Sequence, residues 1–202
     1  MVFVRHGRTQ WNASKRFQGH SDIPLSDEGR AQARALASVL SAETFDRAYA
    51  SNLERALETA RIILAGSGVA IQVDPRLREF DFGQWEGLTW EQIVQRSPHL
   101  EPGAWADAKS YRPEGGESFA EVQVRAGSFL RDLERDPAPR VLVATHAGVL
   151  HAVLAVLAPR LSEEDRALRV VFSPASITRI TMEEGHARLI TVNDVSHLDS
   201  IT

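Results

Sequence analysis

Two short runs, Val2-Phe3-Val4 and Val141-Leu142-Val143-Ala144, are apolar at every position rather than at alternate ones. A strand with one face in water alternates polar and apolar side chains. A strand that is apolar throughout must be covered on both faces, as in a sheet flanked by helices. Helical patterns separate these runs and others like them. Ser26 is placed as an N-cap, followed by Ala33, Leu36, Val39 and Leu40 at helical spacing. Gly29, in the first turn of that helix, costs helix propensity and implies close packing there. Ala48-Tyr49-Ala50 reads as a strand, Leu53 to Leu64 as a helix stopped by Gly66 and Gly68, and Ile71-Gln72-Val73 as a strand ended by Asp74-Pro75. Ser118-Phe119-Ala120-Glu121 is a capping box that opens a helix with Phe119, Val122, Ala126, Phe129, Leu130 and Leu133 on one face. A helix follows from Gly148 to Leu157, and Ile177–Met182 and Arg188–Val192 form a terminal strand pair around Glu184-Gly185. The alternation predicts an α/β protein, a three-layer α/β/α sandwich with a mainly parallel mixed sheet.

The 202 residues, 43% hydrophobic and 25% charged, suit a single domain over 1–202. One stretch breaks the alternation. From about 79 to 116 glycines, prolines, Trp85, Trp90 and Trp105 accumulate, predicting an irregular insertion that serves as a lid or side wall, with a short helix near Trp90–Gln95. The net charge of -4 offers no broad basic field for nucleic acid or an anionic membrane, so an anionic substrate requires a local arginine cluster. The absence of cysteine excludes disulfides, thiolate metal sites and a cysteine nucleophile. No apolar run approaches the ~20 residues of a membrane span, and Arg5 interrupts any secretory leader at once. A cytoplasmic protein, monomer or homodimer, is expected.

Ligands of open α/β sheets bind beyond the carboxyl ends of the strands. Two predicted strands end there in histidine: Val2–Val4 runs into Arg5-His6-Gly7, and Val141–Ala144 into Thr145-His146-Ala147-Gly148 at a helix start. Arg55, one turn into the helix after Ala50, reaches the same edge. Two arginines, two histidines and a helix N-terminus make a pocket for a doubly charged anion, with phosphate the natural candidate. Neutral imidazole is a competent nucleophile at phosphorus, and a departing alkoxide needs a proton. Glu79, just past the third strand, is the candidate acid. Each residue alone also has a plain structural use; their recurrence at equivalent places in successive strand–helix units is what points to chemistry. His146 and His151 are five residues apart and do not share a helix face, so no metal pair is expected there. His20, His99, His186 and His197 have no evident chemical partner, and the tryptophans are expected to pack.

The segments RHGRTQWN, SDIPLSDEGRAQA, SNLERALETA, LREFDFGQWEG, PEGGES and THAGVLHAVL, in this order, resemble the successive signatures of the histidine phosphatase superfamily, in its phosphoglycerate-mutase-like branch. The resemblance runs from residue 2 to about 155 and implies that fold. It implies that His6 is the nucleophile that becomes phosphohistidine, that Arg5 and Arg55 grip phosphate, and that His146 is a protonated phosphate ligand. It makes Glu79 the general acid and then the base toward water. It places Asn12, Gln18 and Gly19 in substrate contact, and gives Gly7 the task of letting backbone approach the phosphate. No metal or cofactor is implied.

The chain departs from the family pattern at Arg8, expected to add positive charge at the mouth, and at Asn52, Ala147 and His151. The implied activity is hydrolysis of small phosphomonoesters. The alternatives are a bisphosphoglycerate-dependent phosphoglycerate mutase and a non-catalytic phosphate-binding domain. The short chain, Gln18 and the form of LREFDFGQWEG favour a phosphatase of the broad-specificity or α-ribazole-phosphate type.

Overall fold

The computed structural model describes residues 1–97, 112–135, 138 and 140–199. Among them six strands, β1 (Val2–Arg5), β2 (Arg47–Ala50), β3 (Ile71–Val73), β4 (Val141–Thr145), β5 (Ile177–Glu183) and β6 (His186–Asp194), form one mixed sheet in the order β3-β2-β4-β1-β5-β6. The strands from β3 to β1 are mutually parallel; β5 is antiparallel to β1 and turns into β6 through Glu184 and Gly185, both at positive φ. The helices are α1 (Gln10–Ala13), α2 (Asp27–Leu40), α3 (Glu54–Ile63), α4 (Trp90–Arg96), α5 (Phe119–Arg135), α6 (Ala147–Leu157) and α7 (Glu163–Ala167). None is long and apolar enough to cross a membrane.

The continuous apolar strands do what their pattern requires. Successive side chains of a strand point to opposite faces. Phe3, Val141 and Val143 pack on one face against Val122 and Phe129 of α5 and Leu150 and Val153 of α6. Val2, Val4, Leu142 and Ala144 pack on the other against Leu36 and Leu40 of α2 and Ala60 and Ile63 of α3. The expected three layers are present.

Local signals hold where a side chain caps its own helix. The Ser26 hydroxyl accepts from the Gly29 N–H at 3.1 Å, and the Glu121 carboxylate accepts from the Ser118 N–H at 2.8 Å. A second capping box was not foreseen. The Thr9 hydroxyl accepts from the Asn12 N–H at 3.1 Å, while Asn12 Oδ1 accepts from the Thr9 N–H at 3.0 Å, closing the single turn of α1.

Gly29 does pack closely: a Cβ there would collide with the Arg8 carbonyl, and one on Gly7 with the carbonyl of Gly29. The space on the Cβ side of Gly7 is therefore taken by α2. Arg8 differs from expectation. Its guanidinium pairs with Glu28 of α2 at 2.8 Å, so the extra positive charge is matched by a carboxylate. In the irregular stretch, Trp85 and Ile93 are buried in a small cluster with Phe17, Phe82, Leu88 and Trp90, so the described part is packed. Trp105, His99 and the remainder of the predicted insertion up to residue 111 lie outside the described residues.

Gly29 and Gly127 make opposite predictions. Gly29→Ala forces backbone apart and should cost about 1–3 kcal/mol in urea unfolding. Gly127 lies within α5, where an added Cβ would meet nothing nearer than 3.4 Å. Gly127→Ala should gain up to about 1 kcal/mol from helix propensity. Equal losses at both sites would show that the approach of α2 to residues 7 and 8 is not tight.

Candidate active site

The parallel ladder between β1 and β4 brings the two histidines together. Arg5 lies opposite Thr145, and the His6 N–H donates to the Thr145 carbonyl at 3.0 Å. The next residue on each strand is then histidine, and the rings of His6 and His146 sit 5.0 Å apart, centroid to centroid. The β2–β4 ladder does the same for α3: the Ser51 N–H donates to the Ala144 carbonyl at 3.0 Å, and α3 starts three residues on, with Arg55 in its first turn. Thr59 ties the two edges together. Its hydroxyl accepts from the Gly7 N–H at 3.1 Å and donates to the Arg55 carbonyl at 2.7 Å.

His6 is buried, and its Nδ1 lies 2.7 Å from the Gly7 carbonyl. Only an N–H rests against a carbonyl oxygen, so Nδ1 carries the proton and Nε2 the free lone pair. Burial, then the charges of Arg55 and Arg5, push the His6 imidazole well below its ordinary 6.5. His146 caps α6, is fully buried, and has no hydrogen-bond partner on either ring nitrogen. Burial, then the charge of Arg55, push it down too. Burial thus favours the neutral form of His146 unless a negative partner offsets the cost of burying its charge.

Arg55 is completely buried, its acidity raised by burial to a pKa of about 10. Its Nη1 and Nη2 donate to the carbonyls of Ser21 at 2.8 Å and Gly19 at 2.7 Å, leaving Nε without a partner. Arg5 donates to the Phe172 carbonyl, and its Nε is likewise buried and unpartnered. Glu79 Oε1 accepts from the N–H groups of Phe80 and Gly148, both at 2.9 Å. A proton on this carboxyl therefore belongs on Oε2. Arg5, Glu79, Ala147 and Gly148 line a cavity of about 960 Å³. Among the described residues no three His, Cys, Asp or Glu side chains cluster as metal ligands.

The residues expected in substrate contact have structural partners. Gln18 Oε1 lies 2.8 Å from the Thr9 hydroxyl, which shares the capping box with Asn12. Gly19, at φ +52°, gives its carbonyl to Arg55 and leaves room for the Glu86 carboxylate. That carboxylate accepts from the N–H groups of His20 and Ser21 at 2.7 and 2.8 Å and so holds the loop that Arg55 grips. His20 is not without partners: its Nε2 lies 2.9 Å from the Glu79 carbonyl and its Nδ1 3.3 Å from Asp81. Arg125 of α5 was not foreseen either. It donates to the carbonyls of Arg76, Arg78 and Glu79 at 2.7, 2.6 and 2.9 Å and pairs with Glu117. It holds the segment that carries Glu79. Its partners are backbone oxygens, which have no sequence signature. His151, by contrast, lines the cavity and packs edge-on to Phe172 at 4.9 Å.

The model of the histidine phosphatase superfamily, branch 1, matches residues 1–195 of the chain. The protein belongs to the histidine phosphatase superfamily. Phosphoglycerate mutase-like protein 4 of Arabidopsis thaliana is 34% identical over 208 residues, spanning 98% of this chain and 86% of that protein. Among solved structures, YhfR of Bacillus stearothermophilus superposes with a TM-score of 0.87 at 34% identity, covering 98% of each chain. The mycobacterial glucosyl-3-phosphoglycerate phosphatase in complex with VO3 gives 0.84 at 33% identity, covering 96% of this chain and 98% of the other.

In this histidine phosphatase four imidazoles, His6, His146, His151 and His197, have lowered pKa values, in each case chiefly through burial. They stay neutral in the fold while the unfolded chain takes up protons below its ordinary 6.5. Their contribution is therefore complete above that pH and is lost as pH falls from there toward the folded-state values. Each such histidine gives a slope of up to about 1.4 kcal/mol per pH unit in that window. Urea unfolding from pH 8 to 5 should show stability flat at first and then falling, with a shallower fall in His146→Gln. Stability rising on acidification would contradict the neutral assignment.

Proposed function

We propose that the protein is a phosphomonoesterase that acts through a phosphohistidine on His6. The observation that carries this reading is the group of buried, unpartnered nitrogens, Arg5 Nε, Arg55 Nε and both ring nitrogens of His146, beside a histidine whose lone pair is on Nε2. Buried polar groups are normally satisfied. A tetrahedral dianion offers acceptors to the arginine nitrogens and to one ring nitrogen of His146, and supplies the charge that favours a protonated His146.

In the first half-reaction His6 Nε2 forms a bond to phosphorus as the ester P–O bond breaks, and the proton of Glu79 passes to the departing oxygen. In the second, ionised Glu79 takes a proton from water, the water oxygen bonds to phosphorus, and the N–P bond breaks. Inorganic phosphate leaves and His6 is neutral again. The cations act on the non-bridging oxygens, where charge is greatest. All charge stabilisation in this scheme comes from side chains. The substrate is a small phosphorylated metabolite, we take the setting to be cytoplasmic, and the family match over 1–195 supports one domain.

The mutase reading uses the same first half-reaction and returns the phosphoryl group to a sugar acid. It is kept because relatives named as mutases and as phosphatases are both similar over most of the chain. LREFDFGQWEG and Gln18 favour hydrolysis.

p-Nitrophenyl phosphate should be hydrolysed equally with and without EDTA, and His6→Ala should lose at least about 10³-fold. Acid-labile phosphate should be trapped on the wild type alone. Faster formation of 2-phosphoglycerate than of phosphate, from 3-phosphoglycerate with bisphosphate primer, would favour the mutase. Glu79→Gln should slow alkyl phosphates by about 10²–10⁴-fold and p-nitrophenyl phosphate far less, since nitrophenolate leaves without a proton. Equal slowing of both, with chemistry rate-limiting, would remove Glu79 from the acid role.

A further inference from the structure

His197, without an evident partner in the sequence, has one in the fold. It lies in the short 3-10 turn Ser196–Leu198, is buried, and brings Nε2 to 2.9 Å from the Ala175 carbonyl. A carbonyl only accepts, so Nε2 donates. Ala175 in turn donates its N–H to the His6 carbonyl at 3.0 Å. It does so from an uncommon conformation. In Ser173-Pro174-Ala175-Ser176 the Ser176 N–H donates to the Ser173 carbonyl at 3.1 Å, with proline second and a φ of +58° third. That is the pattern of a type II turn, in which the third residue is usually glycine. Here it is a wholly buried alanine. Such a backbone persists where its surroundings over-determine it, and both polar groups of Ala175 are held.

Asn193 holds the other end of the turn. It sits at φ +54° where the β5–β6 register shifts, and its Oδ1 accepts from the Ser173 N–H at 2.7 Å. The carbonyl of that same peptide, on Phe172, accepts from the Arg5 guanidinium. One planar peptide unit therefore joins Asn193 to Arg5, as Ala175 joins His197 to His6. The main-chain N–H of Arg5 is fixed here as well, donating to the Ser176 carbonyl at 3.1 Å.

We infer that Asn193 and His197 are positioning residues that act through this turn. Asn193 aims the Arg5 guanidinium at the phosphate. His197 fixes the His6 main chain, and with it the adjoining Gly7 carbonyl that orients the imidazole. Neither side chain lines the cavity. The inference rests on the phosphomonoesterase reading and divides the work of the turn between two steps: His197 serves attack on phosphorus, and Asn193 serves the grip on the anion.

The test measures the single-turnover rate with p-nitrophenyl phosphate, Ki for inorganic phosphate and the urea midpoint. His197→Leu should lower the rate about 10- to 100-fold with Ki nearly unchanged. His197→Gln, which carries an amide N–H in place of Nε2, should recover most of that loss. Asn193→Gly removes Oδ1 yet suits the positive φ. It should raise Ki about 5- to 10-fold, and Asn193→Asp, which keeps an acceptor oxygen, should restore it. Leu198→Ala is the control, since Leu198 stands in the same 3-10 turn but packs into the core beside α2 and α3. It should lower the midpoint and leave rate and Ki at wild-type values. Rate and Ki that follow the midpoint across all variants, or no recovery in His197→Gln and Asn193→Asp, overturn this inference and leave the phosphomonoesterase standing. No turnover by the wild type overturns the reading beneath it as well.

Discussion

The parallel pairing of β1 with β4 is the constraint on which the site depends. With Arg5 opposite Thr145, the first residue beyond each strand is a histidine, and both fall on the same side of the same sheet edge. A slip of β1 by one residue would turn Phe3 away from α5 and α6 and send His6 to the opposite face. The register is held by apolar side chains on both faces of the sheet, well away from the chemistry. Packing thus determines where the reactive groups stand, and the polar contacts at the strand ends refine their orientation.

Those polar contacts leave the site electrostatically incomplete. Arg55 is wholly buried and secures two loop carbonyls, yet its Nε has no partner; Arg5 and His146 are in the same condition. Charged and polar groups are costly to bury unless they are satisfied. The protein lowers that cost by keeping its two facing imidazoles neutral, which also leaves a lone pair on His6 Nε2. In the proposed reaction an arriving phosphate dianion reverses the balance: it offers acceptors to the arginine nitrogens and favours a proton on His146. In that proposal the same low dielectric serves both the nucleophile and the anion.

Recognition of the elements from sequence worked where the determining contact is local. Ser26 and Ser118 cap their own helices, and Glu184-Gly185 turns its own hairpin, so neighbouring residues carry the information. It worked less well where a residue's partner is distant or is backbone. His20 looked isolated, yet its ring meets the Glu79 carbonyl, 59 positions away. Arg125 gave no sign of its task because it grips carbonyl oxygens. A Cβ on Gly7 would collide with the Gly29 carbonyl, a constraint that only the docking of α2 reveals.

The sequence by itself determined the sandwich and which polar residues follow its strands. Continuous apolar strands require cover on both faces, and Arg5, His6, Arg55, Glu79 and His146 each follow a strand that the apolar pattern already marks. Tertiary structure alone decided the protonation and the surroundings of those groups. Which nitrogen of His6 is free depends on the Gly7 carbonyl, and the neutrality of His146 on complete burial beside Arg55. The apolar character of the cavity depends on bringing Phe17, Phe119 and Phe172 together from three distant segments. Hydrogen-bond direction, desolvation and cavity lining are properties of atoms brought together in space. Linear order does not carry them.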